Sequence, residues 1–388
     1  MSRTSIHVRA ERTARCEDHS ESFRRWYADA GSLHMYELRA VAYESDFSNE
    51  QWLRESFDNG RSWSEPVSVY ERSFEKLGGD ELLHISFEPQ VFDPASGNLV
   101  TCGMLRYFIG GHEEAYRRLW TEAGDDVRDH CYLVYRRPDG TLRRQLAAYE
   151  EGADFDPENP RNPEYLEHNL AYFSHIRFAS NGDLLFPLAA DVRSCCRMLG
   201  LRTEDVVPSC PQLINGVLLV RAHWNERTEA YEMTYSRPVV ISDLLSSRGV
   251  CEPCVTELPS GRILIVFRGS NWYSKEWNMR IEPGTPGFKW YTFSDDGGRS
   301  FSPAMPWHFD SREVVYSSAT ISQFFRSSKN GKVYWIGNVT DPQRTDGNFP
   351  RYPLVIAEVH QLITAVRGPG AVGRVKAPGC VVVNAYWN

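Results

Sequence analysis

No stretch of this 388-residue chain approaches the roughly 18 consecutive apolar residues needed to cross a bilayer. The opening run, MSRTSIHVRAERTARCEDHSE, lacks the apolar centre of a secretory leader, so a cytoplasmic location is expected. Blocks of like charge are missing too. With a formal charge of −8, this argues against nucleic acid or an anionic membrane as partner. The chain has no HxxxH or HExxH, no calcium-loop spacing, no glycine-rich phosphate loop opening a helix and no G-x-S-x-G elbow. No metal and no cofactor is therefore expected. Nine cysteines, an odd number with Cys195 and Cys196 adjacent, read as reduced thiols. Cys251 and Cys254 form a CxxC without the second such pair that a zinc site would use, so buried thiols on a strand are the better reading.

Helical periodicity is also scarce. Its best instance, Gly110–Val127 (GGHEEAYRRLWTEAGDDV), reads as an insertion between strands. What the sequence does contain is repetition. Four segments share an apolar strand, a glycine turn and a second apolar strand: Phe87–Tyr107, Ser174–Asp191, Cys251–Ser270 and Ala319–Thr340. Their turn glycines are Gly97, Gly182, Gly261 and Gly331, placed where a tight hairpin needs positive φ. A weaker copy surrounds Gly31. A second kind of hairpin lies between them. LRESFDNGRSWSEP carries Ser56, Asp58, Gly60, Ser62 and Trp63, and WYTFSDDGGRSFSPA carries Ser294, Asp296, Gly298, Ser300 and Phe301. Both fit S-x-D-x-G-x-S-[W/F], in which the Asp accepts backbone N–H bonds, Gly turns the chain and the aromatic packs back. A degenerate copy holds Asp139 and Gly140. Two hairpins make a four-stranded blade, and repeated blades make an all-β propeller. Aromatic residues, 13% of the chain, suit both strands and sugar contacts.

These elements resemble the Asp-box repeats of the sialidase (BNR-repeat) superfamily, over roughly residues 20 to 359. The resemblance implies a sialidase-like β-propeller of six four-stranded blades. It divides the chain into a polar segment 1–20, a propeller 21–359 and an atypical tail 360–388; either the N-terminal segment supplies the strands still missing, or the chain ends in an incomplete or altered sixth blade. It also implies that Asp58 and Asp296 are structural, and that the ligand is a carbohydrate carrying a carboxylate.

A sialidase binds that carboxylate with arginines, whose planar fork stays charged, and attacks with a tyrosine. Glu252 and Arg268 lie at the two ends of one hairpin, as the activating Glu and a carboxylate-binding Arg do in the family. Tyr316, in VVYSSAT, resembles the nucleophile's Tyr-Ser step. The first family arginine normally stands in Phe/Tyr-Arg-Ile-Pro, which is absent here; Arg24 or Arg25 in SFRRW takes a comparable place. Asp46 is the candidate acid and Arg351 a further carboxylate ligand. Before the second Asp-box only Arg280 and Lys289 occur, and neither matches the family's third arginine. The implied activity is a glycoside hydrolase acting on terminal acidic sugars.

His84, His112, His130, His168 and His175 form a second set. A neutral His beside an arginine suits proton abstraction next to a uronate carboxylate, the chemistry of propeller polysaccharide lyases. His175 and His130 lead because they stand nearest to the starts of strands. A non-catalytic propeller that binds glycan or protein is the third reading.

Overall fold

The computed structural model describes residues 18–28, 33–43, 49–69, 73–85, 89–121, 126–172, 175–208, 215–247, 249–269, 287–327, 329–345, 347, 349–360, 365–366 and 373–375. Alternating and continuous apolar runs pair into five antiparallel sheets, each drawn from one unbroken stretch of chain. The first is β1 (Ser20–Tyr27), β2 (Met35–Ala42), β3 (Glu50–Ser56) and β4 (Val67–Ser68), paired in that order. The second holds β5 (Ser73–Leu77), β6 (Asp80–Ile85), β7 (Val91–Asp93), β8 (Asn98–Phe108), β9 (Val127–Arg136) and β10 (Leu142–Leu146), with β6 and β7 both on one side of the long β8. In the third, β11 (Ala171–Tyr172) and β12 (Arg177–Phe178) share the edge of β13 (Leu184–Asp191), followed by β14 (Asn215–Asn225) and β15 (Ala230–Tyr235). The fourth is β16 (Cys251–Glu257), β17 (Ile263–Arg268), β18 (Lys289–Ser294) and β19 (Met305–Pro306). The fifth runs β20 (Gln323–Arg326), β21 (Val333–Asn338), β22 (Leu354–His360), then β23 (Ala365–Val366) and β24 (Gly373–Val375), both paired to β22. The expected insertion is the helix α1 (His112–Thr121), between β8 and β9.

The all-β propeller is as expected; the blade count is not. Six blades were anticipated, and the described residues form five. The N-terminal stretch completes a four-stranded sheet on its own. The described residues of the tail form β23 and β24, at the outer edge of the fifth sheet.

The two hairpin types have separate places in the blade. Gly97, Gly182, Gly261 and Gly331 all adopt positive φ and join β7 to β8, β12 to β13, β16 to β17 and β20 to β21. The Asp turns join third to fourth strands in sheets one and four. Their geometries coincide: Asp58 Oδ1 accepts from Ser56 Oγ (2.8 Å), Arg61 N (2.9 Å) and Ser62 N (2.8 Å). Asp296 Oδ1 accepts from Ser294 Oγ (2.7 Å), Arg299 N (2.9 Å) and Ser300 N (3.0 Å). Among the described residues both carboxylates reach only their own turn, so the assignment of a structural role fits the contacts.

Side-chain packing joins the sheets. Tyr36, Leu38 and Leu53 of the first meet Phe92 and Leu99 of the second. Cys131 and Leu133 pack with Phe186 and Leu218 between the second and third. Leu185, Val217, Ile265 and Phe267 fill the third-to-fourth contact, and Leu264, Trp307, Phe324 and Trp335 the fourth-to-fifth. β16 of the fourth sheet thereby packs on both β13 of the third and β20 of the fifth.

Candidate functional site

Register builds the site. Across the fourth sheet, Cys251 on β16 opposes Arg268 on β17, and Arg268 opposes Lys289 on β18. In-register residues share a face, so a thiol, a guanidinium and an amine form a row across three strands. Between Cys251 and Cys254 the register with β17 slips by one residue, a bulge of the kind that re-aims a side chain. Glu252 sits in that bulge with φ +46°, a left-handed conformation that costs a non-glycine residue about 1–3 kcal/mol. The bulge turns the Glu252 carboxylate onto Arg268, with Oε2 2.9 Å from Nη1. Arg268 is 8% exposed and also donates to the Ala319 carbonyl at 3.1 Å. Burial works against its charge, but Cys251, Glu252 and Tyr172 around it raise its pKa above the ordinary value. Lys289 is completely buried and donates to the Thr320 carbonyl and, at 3.3 Å, to Thr320 Oγ1.

Three other sheets reach the same place. Tyr172, on β11, hydrogen-bonds the Cys251 thiol and accepts from Glu252 N at 3.3 Å. Burial first, then the neighbouring Cys251 and Glu252, push its phenol well above 10. His175 Nε2 lies 3.0 Å from the Gln323 side-chain amide of the fifth sheet. Burial, then the charges of Arg24 and Arg177, pull the His175 pKa down to about 3, so the ring is neutral. Arg177 donates to the carbonyls of Ile176 (2.8 Å) and Phe324 (3.3 Å). Tyr316 pairs by a backbone bridge with Phe288, next to Lys289, and its carbonyl accepts from Thr340 N at 2.9 Å. Its segment continues into Ala319 and Thr320, the acceptors for Arg268 and Lys289. Arg351 is exposed; its loop is tied to that segment, with Ser318 Oγ donating to the Pro350 carbonyl at 2.5 Å and Ala319 N to the Gly347 carbonyl at 2.9 Å.

Two expected site residues lie elsewhere. Arg25 was expected to meet substrate. Strand alternation instead turns it to the Glu37 carboxylate and, at 5.4 Å, the ring of Trp63, while Arg24 on the opposite face of β1 acts electrostatically on His175. His130 was also expected to bind ligand. It is fully buried in the second sheet, stacked at 3.6 Å on Tyr165 and bonded to that residue's carbonyl, so it is a packing residue. His84, His112 and His168 pair with Glu75 (3.2 Å), Glu81 (2.7 Å) and Glu150 (2.7 Å). Asp46 and Arg280 lie outside the described residues. Sequence reading missed Tyr172, Arg177 and Gln323 because their strands are two to four residues long and carry no periodic signal. Cys251 and Cys254 do not act as a pair: the second thiol faces the Val266 carbonyl (3.3 Å) and Ser322 Oγ (3.4 Å).

No protein-family model and no curated protein sequence matches this chain. Solved structures do. A protein of unknown function from Dyadobacter fermentans DSM 18053 is similar over 94% of this chain and 84% of its own, at 16% identity and a TM-score of 0.52. The NanB sialidase of Streptococcus pneumoniae is similar over 89% of this chain and 59% of its own, at 11% identity and a TM-score of 0.46. The intramolecular trans-sialidase of Ruminococcus gnavus is similar over 91% and 82%, at 9% identity and a TM-score of 0.46. The five antiparallel sheets, each from one stretch of chain, make this chain a β-propeller, and sialidases are among the structures it is similar to.

Proposed function

We propose that this propeller is a glycoside hydrolase that removes terminal acidic sugars from glycans. The observation that carries the reading is the Glu252–Arg268 contact at 2.9 Å, set on a bulged strand beside the phenol of Tyr172 and the segment of Tyr316. Arg268 and Arg351 hold the sugar carboxylate. The Tyr316 oxygen bonds to the anomeric carbon as the glycosidic C–O bond breaks. Glu252 takes the phenol proton, Asp46 gives a proton to the leaving oxygen, and water then releases the sugar from Tyr316. A neutral phenol suits this attack because an anionic nucleophile would be repelled by the sugar carboxylate. An S-x-D-x-G-x-S turn at two corresponding blade positions supports Asp-box repeats as the origin of the fold.

His175 favours a second reading. A ring held neutral beside Arg24 and Arg177 is the arrangement a uronate lyase uses, base next to carboxylate-binding cation. One experiment separates the two: turnover of purified protein on chromogenic acidic glycosides and on uronate polysaccharides, reading released aglycone and near-ultraviolet absorbance together. Aglycone release supports the hydrolase. Absorbance without release moves the chemistry to His175, and silence from folded protein leaves a propeller that binds glycan or protein without turning it over.

A further inference from the structure

Lysine is scarce in this chain: six residues, Lys76, Lys275, Lys289, Lys329, Lys332 and Lys376, among 43 cationic side chains. Lys289 of these lies fully buried in the candidate site. Lys332 shows the ordinary arrangement, with its ammonium 2.9 Å from the Glu358 carboxylate. Lys289 forms no ion pair among the described residues; its amine bonds only to the Thr320 carbonyl and hydroxyl. Its in-register neighbour is a cation, Arg268, whose carboxylate partner Glu252 is already engaged. A buried ammonium beside a guanidinium is expensive, and packing alone calls for a methionine or leucine at this position.

We propose that Lys289 makes ligand binding at this site proton-coupled: the buried amine, with a cation for its in-register neighbour and no carboxylate partner among the described residues, takes up a proton when an oxyanion, such as a sugar carboxylate, settles on Arg268. The proposal rests on the acidic-sugar reading of the site and adds how its charge is balanced. The groups that face the amine are Arg268 on β17, Cys251, Glu252 and Cys254 on β16, Thr320 before β20, and, across Arg268, Tyr172 on β11. Arginine does not release its proton in this range. Burial pushes the Cys254 thiol up to about 11, away from the neutral range in which Lys289 is poised to change its charge. Burial, then the charge of Arg268, bring its pKa down from 10.5 to about 7. An anion on Arg268 offsets that second cause and favours the ammonium. Lys289 thus acts as a positioning and charge-balancing residue, through Arg268 and the Thr320 segment rather than by touching ligand.

The test follows the side-chain nitrogen of Lys289 by NMR in full-length protein, free and saturated with D-glucuronate or with inorganic sulfate, alongside calorimetry in two buffers of different ionisation enthalpy. The expected result is a midpoint near 7 in the free protein that rises by at least one unit with either anion, with net proton uptake on binding. Affinity should then fall by up to about tenfold per pH unit above the free midpoint. In Lys289→Met, which keeps the side chain's length, both the uptake and that slope disappear. A free midpoint near 10, or a midpoint unmoved by a glucuronate that Arg268→Ala fails to hold, overturns the proposal. Failure of both anions to bind overturns the anion site itself. Glycosidase turnover with an unmoved Lys289 removes the proton link and leaves the hydrolase; a moved Lys289 without turnover removes the hydrolase and leaves the link.

Discussion

Glu252 combines backbone strain with an ion pair to a buried cation. Its positive φ is one that glycine adopts freely, but its carboxylate is the partner of the buried Arg268, so Glu252→Gln should abolish turnover and lower the melting temperature, and Glu252→Gly, which relieves the backbone, should lower it less than Glu252→Ala. Turnover kept in Glu252→Gln would show that the carboxylate is there for the fold. Tyr316→Phe should reduce kcat at least a thousandfold with binding largely kept, whereas Tyr172→Phe, whose phenol touches Cys251 and Glu252 N, should mainly weaken binding. The reverse pattern would make Tyr172 the nucleophile. Lys289 also leaves a signature in stability. Its folded pKa is depressed, so between pH 7 and about 10.5 the unfolded chain binds the extra proton and stability rises with pH. The melting-temperature advantage of Lys289→Met over the parent should therefore be greatest at or below pH 7 and shrink toward pH 10. Residues of this kind were only half legible beforehand. Glu252, Arg268 and Tyr316 stand in recognisable local patterns. Which of Arg24 and Arg25 acts on His175 depends on the phase of β1, and one residue of slip reverses the answer.

At the scale of elements, the turns were the most legible part of the chain because their causes are local. The positive-φ glycines and both Asp turns form where the sequence places them. Asp58 is held at about 2, first by the Ser62 hydroxyl and then by backbone N–H groups and Ser56. A depressed carboxylate contributes stability above its ordinary value of 3.8 and loses it as pH falls toward 2. Asp296→Ala should accordingly lower the melting temperature at pH 7, and the difference from the parent should narrow as pH drops through that window. Asp139→Ala should matter less, because that carboxylate holds the single backbone contact to Thr141 N at 2.8 Å where Asp296 holds several. Equal losses would mean that the number of turn contacts is not what matters.

For the whole molecule, the propeller was legible and its count was not. Repeats announce blades, but nothing local says whether a tail opens a new sheet or finishes an old one. Here β23 and β24 finish the fifth. Ending the chain after His360 should leave the β22 edge unpaired, lower the melting temperature and bring aggregation on heating, visible by light scattering. The ring's packing is concentrated in large side chains. Trp307, fully buried, meets Trp335 edge-on at 5.2 Å and Phe324 at 6.2 Å across the fourth-to-fifth contact, and Trp307→Ala should cost about 3–5 kcal/mol by denaturant titration.

That every described sheet comes from one unbroken stretch has a consequence for how the protein is made. Synthesis begins at the N-terminus, so the sheets leave the ribosome one after another, each with all its pairing partners in hand. No strand of the first sheet waits for residues translated last. What each newly formed sheet awaits is only the apolar flank of its successor, which arrives a few seconds later at ordinary elongation rates.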